Sequence, residues 1–162
     1  MSYVIAIDVG IRNMGLCVYD FMENKVIFWT NTCLTNERYI PSHNVAYVRD
    51  YVLKYREYFD NACMVVVERQ MQTNMRIIEA LFQQCFYDKC VVISPRSCKA
   101  HYGLCMKDYK ANKVAAIAWA DAFTANNKAV VPEFTWTNKK DDMADALMLV
   151  MYYLDTYSPQ WD

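Results

Sequence analysis

The stretch Met64-Val65-Val66-Val67-Glu68 narrows the folds open to this chain more than any other. Successive side chains on a strand point to opposite faces, so an unbroken β-branched run is apolar on both sides. Both faces must then be covered, which predicts a buried strand sandwiched between helices rather than a one-sided sheet. Val91-Val92-Ile93, stopped by Ser94-Pro95, repeats the pattern at shorter length. Ahead of these lie three more strand candidates, Val4–Ile7, Gly15–Tyr19 and Val26–Thr30. Turn-like Gly10–Asn13 and Glu23-Asn24 separate them, a spacing that suits an antiparallel meander.

Between the strands the period changes from two to that of a helix. Val45, Val48, Val52, Tyr55 and Phe59 predict a helix over about 42–59 with Ser42 as its N-cap. Tyr47, Tyr51 and Tyr58 share this segment and are expected to pack on the sheet or on a second subunit. Further helices are expected over about 74–87, 113–123 and 141–153. The order β-β-β-α-β-α-β-α-α implies one α/β domain spanning residues 1–162, a mixed sheet with helices on its faces. With 55% hydrophobic residues, three Gly and four Pro, disorder and collagen-like sequence are excluded. No apolar run reaches the roughly 18 residues that span a bilayer, and no secretory signal is evident, so no membrane partner is expected.

Four acidic residues stand where a core-building pattern would not put them. Asp8 ends the first apolar strand, Glu68 ends the valine run, and Asp142 and Asp145 lie three apart on one face of a mostly apolar helix. A carboxylate at the end of a buried strand must be paired, hydrated or metal-bound. Singly, each reads as a turn or cap residue, and Asp141 with Asp142 suits a helix N-terminus. Together, if the strands ending at Asp8 and Glu68 are neighbours, they form a hard oxygen set without His or Cys. Such a set suits Mg²⁺ or Mn²⁺. Two such ions promote phosphodiester hydrolysis.

The overall charge is balanced, with 17 basic and 18 acidic residues, but its distribution is not. Between Pro95 and Lys140 stand Arg96, Lys99, Lys107, Lys110, Lys113, Lys128, Lys139 and Lys140 against Asp108, Asp121 and Glu133. A polyanion responds to such a local patch rather than to the total, although a solvated helix face would look the same. The seven cysteines form no C-x-x-C pair and read as reduced, mostly buried side chains. Cys98, His101 and Cys105 make a poor zinc pattern, and His43 and His101 read as structural or surface residues.

Four stretches resemble the RuvC-type Holliday junction resolvases of the retroviral-integrase and ribonuclease H superfamily, and more closely their poxviral branch. They are Ile5-Ala6-Ile7-Asp8-Val9-Gly10 with Gly15; Val65-Val66-Val67-Glu68-Arg69-Gln70; Ser94-Pro95-Arg96-Ser97-Cys98-Lys99 with Gly103 and Lys110-Ala111-Asn112-Lys113-Val114; and Asp142-Met143-Ala144-Asp145-Ala146-Leu147. In register, they cover nearly the whole chain. The resemblance implies a ribonuclease H-like five-stranded mixed sheet flanked by helices. It further implies a homodimer that binds four-way branched DNA and nicks two strands symmetrically, using Mg²⁺, with Mn²⁺ as a substitute, two ions per active site.

Carried over by motif, Asp8, Glu68, Asp142 and Asp145 are the catalytic, metal-binding carboxylates. Lys113 joins them as a catalytic residue, with Lys99 also near the scissile phosphate. Arg96, Lys107, Lys110, Lys139 and Lys140 are expected to contact the DNA backbone together with those two lysines. Asp141 could replace Asp142 geometrically, but the D-x-x-D-A-L register favours Asp142. Bacterial members carry an aromatic residue three places after the second carboxylate, where this chain has Met71. The poxviral likeness also implies work in viral DNA recombination and concatemer resolution in the host cytoplasm. Three rivals accompany this reading. One is a related nuclease cutting flaps or RNA–DNA hybrids, another a junction-binding module without catalysis. The third, an actin-like ATP-binding enzyme, would need two domains around its nucleotide.

Overall fold

Alternation along the first strand divides the core into two. In the computed structural model, which describes residues 2–131 and 140–157, β1 (Tyr3–Asp8) sends Val4 and Ala6 to one face and Ile5 and Ile7 to the other, and all four are buried. Strand β4 (Ala62–Glu68) does the same, with Val66 on the first face and Val65 and Val67 on the second. This two-sided burial is what the unbroken valine run demands.

The sheet order is β3-β2-β1-β4-β5, where β2 is Met14–Asp20, β3 Lys25–Thr32 and β5 Cys90–Ile93. β1, β2 and β3 form the antiparallel meander, while β4 and β5 run parallel to β1. The result is the expected five-stranded mixed sheet flanked by helices. Against the second face pack α1 (Asn44–Lys54), α2 (Arg56–Asp60) and α3 (Thr73–Cys85). The first face carries α4 (Pro95–His101), α5 (Tyr109–Asn126) and α6 (Lys140–Tyr157).

Three local expectations change. The helix expected from Ser42 onward begins as a 3-10 turn over Pro41–His43, because Pro41 supplies a helix start without an N–H to satisfy. His43, not Ser42, then caps α1, and the segment breaks at Tyr55, whose backbone separates α1 from α2. The buried side of α1 is Val48 and Tyr51, while Val45 is exposed. Second, α4 follows β5 directly, with Pro95 at its first position, where the sequence pattern showed only a strand stop. Third, α5 starts at Tyr109, one turn before Lys113, because the Asp108 carboxylate caps it by accepting the Ala111 N–H.

Helix α6 is the central prop. Met143, Ala144 and the whole run Ala146–Tyr152 are buried, so it is covered on nearly every side. Its first turn presses onto β2 at Gly15, where a Cβ would lie 2.2 Å from the Asp142 carbonyl oxygen and 3.1 Å from the Ala146 Cβ. The Trp29 indole N–H donates to the Met143 carbonyl at 2.7 Å and fixes the same turn from β3. Among the described residues no helix is long and apolar enough to cross a membrane.

Candidate active site

Strand parity places the first two acids. Asp8 continues the Val4, Ala6 series and Glu68 the Val66 series, so both point to the face covered by α6. Parallel pairing of Ile7 with Val67 puts the two strand ends side by side. On the other flank Asp8 pairs with Gly15, and Gly15 with Asn31. The missing side chain at Gly15 lets the start of α6 settle against that row, which brings Asp142 and Asp145 to Asp8 and Glu68. All four carboxylates line one cleft of about 280 Å³, together with Asp141, Lys99 and Lys113.

The cleft concentrates like charge in a poorly hydrated place. Asp8 is 7% exposed, and its carboxyl is pushed well above the usual range by burial and by Glu68, Asp145 and Asp142. Asp145 is pushed up to about 7 by burial and by Glu68, with Lys99 pulling the other way. Lys99 Nζ lies 3.5 Å from Asp145 Oδ1, yet that buried oxygen has no hydrogen-bond partner of good geometry. Burial opposes the charge on Lys99, but Asp145, Glu68 and Asp8 outweigh it and hold the ammonium protonated.

An orphaned buried carboxylate oxygen beside several mutually repelling acids is the electrostatic signature of a cation-binding place. The donors are all hard oxygens, which fits a divalent ion of the magnesium or manganese type. As the side chains stand, no three His, Cys, Asp or Glu residues among those described enclose such an ion.

Several residues that serve the cleft escaped the sequence pattern. Asn31 Nδ2 donates to Asp142 Oδ2 at 3.2 Å from the end of β3. Gln70 Nε2 reaches both the backbone oxygen and Oε2 of Glu68, each at 3.2 Å. The buried Glu79 of α3 accepts the Gln70 N–H at 2.7 Å and lies 3.5 Å from Arg69 Nε, fastening the turn that presents Glu68. Tyr109 and Asn112 line the cleft from α5. Asn31 carried one signal, a polar residue in an apolar strand. Glu79 carried none, because its role arises from packing α3 on the end of β4.

The basic residues divide. Lys99 and Lys113 stand in the cleft, whereas Arg96, Lys107 and Lys110 are exposed and outside its lining. Lys140 is exposed at the start of α6, and Lys139 lies outside the described residues. Lys113 donates to Asp141 Oδ2 at 2.5 Å and lies over the Tyr109 ring, 4.9 Å from its centre. The Asp141 hydrogen bond raises the Lys113 pKa against the opposing effect of burial. His101 lies apart from this cleft, 3.3 Å from Asp155 and edge-on to Tyr102 and Tyr152. Met71, 87% exposed, belongs to a separate surface hollow with Ile77 of α3.

A family model described as Poxvirus A22 protein matches residues 2–156. The fold is similar to that of the fowlpox virus Holliday junction resolvase, with a TM-score of 0.64 at 20% identity over 96% of this chain and 99% of that one. The yeast mitochondrial Holliday junction resolvase matches with a TM-score of 0.68 at 20% identity, covering 94% and 83%. Thermus thermophilus RuvC, solved with a Holliday junction substrate, matches with a TM-score of 0.59 at 14% identity over 97% of both chains. No curated protein sequence matches significantly.

Proposed function

This chain belongs to the poxvirus A22 protein family, and on that footing we propose that it is a Holliday junction resolvase, an endonuclease that cuts four-way DNA junctions by paired symmetric nicks. The observation that carries the reading is the convergence of Asp8, Glu68, Asp142 and Asp145 in one cleft with Lys99 and Lys113. The fowlpox and yeast proteins that share this fold are themselves named as Holliday junction resolvases, which supports the same activity here.

Asp8, Glu68, Asp142 and Asp145 would hold the metal, two Mg²⁺ ions with Mn²⁺ as a substitute. A bound divalent ion supplies a Lewis acid that activates water and offsets charge on the phosphate. The remaining work falls to the protein. Asn31 holds the Asp142 carboxylate by one oxygen, and Gln70 holds that of Glu68, so both ligands are oriented before substrate arrives. Lys113, at the cleft wall, is placed to take a phosphate oxygen and stabilise the negative charge that grows as water attacks phosphorus. Lys99 stays paired with Asp145 and draws its carboxyl down against the upward push of burial and Glu68. The P–O3′ bond breaks, leaving a 5′-phosphate and a 3′-hydroxyl.

Arg96, Lys107, Lys110, Lys139 and Lys140 would hold the junction arms through their phosphates, a contact that positions without reading sequence. A homodimer suits the task, since two equivalent sites match the two-fold symmetry of a junction. The poxviral family fits work in recombination and concatemer resolution in the host cytoplasm.

The test is cleavage of an immobile four-way junction in Mg²⁺, beside duplex, flap and RNA–DNA hybrid substrates. Paired symmetric nicks in the junction, lost in Asp8→Asn with junction binding retained, are expected. Equal cutting of flaps or hybrids would overturn the junction selectivity. Binding without any cutting would overturn the nuclease.

A further inference from the structure

Asp141 stands in the cleft beside the four carboxylates, and its partner sets it apart from them. Its Oδ2 accepts from Lys113 Nζ at 2.5 Å, bridging the first turn of α6 to α5. Tyr109, one turn before Lys113 on α5, adds its ring face to the same ammonium. The Lys113 side chain is 37% exposed and that of Asp141 15%, so a more exposed group at the cleft mouth is tied to a more buried one.

A lysine carries about 2 kcal/mol of rotamer entropy, and an open cleft alone does nothing to hold it. A wandering ammonium among Asp8, Glu68 and Asp142 would also be drawn to the acids that need a cation. Lys99 shows where such attraction leads, since it sits on Asp145. Two contacts from separate elements keep Lys113 away from that fate.

We infer that Asp141 is a positioning residue: it holds the Lys113 ammonium at the cleft wall, ready to pass to a phosphate oxygen of the DNA, and it does not ligate metal. This rests on the nuclease reading above. When a phosphodiester enters, the ammonium exchanges one anionic oxygen for another, and Asp141 remains close enough to recover it after product leaves.

The test combines single-turnover cleavage of a four-way junction with a measurement that needs neither DNA nor metal. Asp141→Asn should slow cleavage at saturating DNA by about ten- to a hundredfold, the scale of a misplaced catalytic group. Asp141→Glu, which keeps the charge, should restore most of the rate. In a Lys113→Met background, Asp141→Asn should cause no further loss, because two residues acting as one unit are not additive. The Mg²⁺ concentration for half-maximal rate should stay unchanged. In the protein alone, mass spectrometry should show Lys113 acylated several-fold faster by an amine-reactive ester once Asp141 is Asn.

An undiminished Asp141→Asn effect in the Lys113→Met background, a raised Mg²⁺ requirement, or unchanged Lys113 acylation would each overturn the inference while leaving the nuclease intact. A wild-type protein that cuts no branched DNA would overturn the nuclease reading, and the inference with it.

Discussion

Replacing Asp145 with Asn should make the metal-free protein more stable at neutral and alkaline pH. The Asp145 carboxyl titrates near 7 rather than at its ordinary 3.8, chiefly because it is buried and faces Glu68. A displacement of that size corresponds to something on the order of 4 kcal/mol against folding once the group is ionised. Asn keeps the shape and removes the charge. The pull of Lys99, 3.5 Å away, is already contained in that displacement. The gain is then about 4 kcal/mol, or a rise of about 8–16 °C in Tm for a chain of this size. Its pH dependence has a definite sign. Below pH 3.8 the carboxyl is protonated in both folded and unfolded chains, and the penalty is absent. Between 3.8 and about 7 the folded state holds a proton that the unfolded state has lost, so wild-type stability falls as pH rises. Above about 7 the penalty is complete. Thermal unfolding in EDTA at pH 5, 6, 7 and 8 should therefore show a gap between variant and wild type that widens with pH. Mn²⁺ should raise the wild-type Tm and raise the variant's much less, since a ligand stabilises only the fold that binds it. A variant equal to wild type at pH 8, or a gap independent of pH, would refute the charge-crowding argument.

Other perturbations reach different parts of the same construction. Gly15→Ala should destabilise by several kcal/mol in urea titrations, because its Cβ meets backbone of α6 at 2.2 Å and the helix must lift from β2. Asn31→Ala should slow junction cleavage by about tenfold, the rate equivalent of roughly 1.4 kcal/mol, with binding in Ca²⁺ unchanged, since it removes one hydrogen bond to the Asp142 carboxylate. Converting Arg96, Lys107 and Lys110 together to Ala should weaken junction binding and flatten its dependence on log salt by about 2–3, leaving single-turnover rates at saturating DNA near wild type. An unchanged salt slope in filter binding would remove these residues from the DNA contact.

Much of the fold was legible because it follows from local chemistry. Valine runs with no polar alternation demand two covered faces, and the molecule meets that demand at Val65, Val66 and Val67. Helix boundaries were less legible. Pro41 starts a 3-10 turn that shifts the cap from Ser42 to His43, and Pro95 reads equally well as a strand stop or as the first residue of α4. The outward face of Val45 was equally hidden, since helical spacing marks a stripe but not which side of it meets the sheet.

The candidate site divides along the same line. The four acids could be picked out one by one, as charges at the ends of apolar segments whose burial would be costly. That Asp8 and Glu68 share a face follows from strand parity once their strands are known to pair. Pairing itself, and the docking of α6 on Gly15, are contacts between residues more than fifty positions apart. The support of Asp142 by Asn31 is another, while the pairing of Lys113 with Asp141 rather than Asp142 and the fastening of the Glu68 turn by Glu79, closer in sequence, still join separate elements. Local spacing determines which side chains one strand or helix presents together. Which element then faces which is decided by packing across the whole core, and there the charges of this cleft acquire their partners.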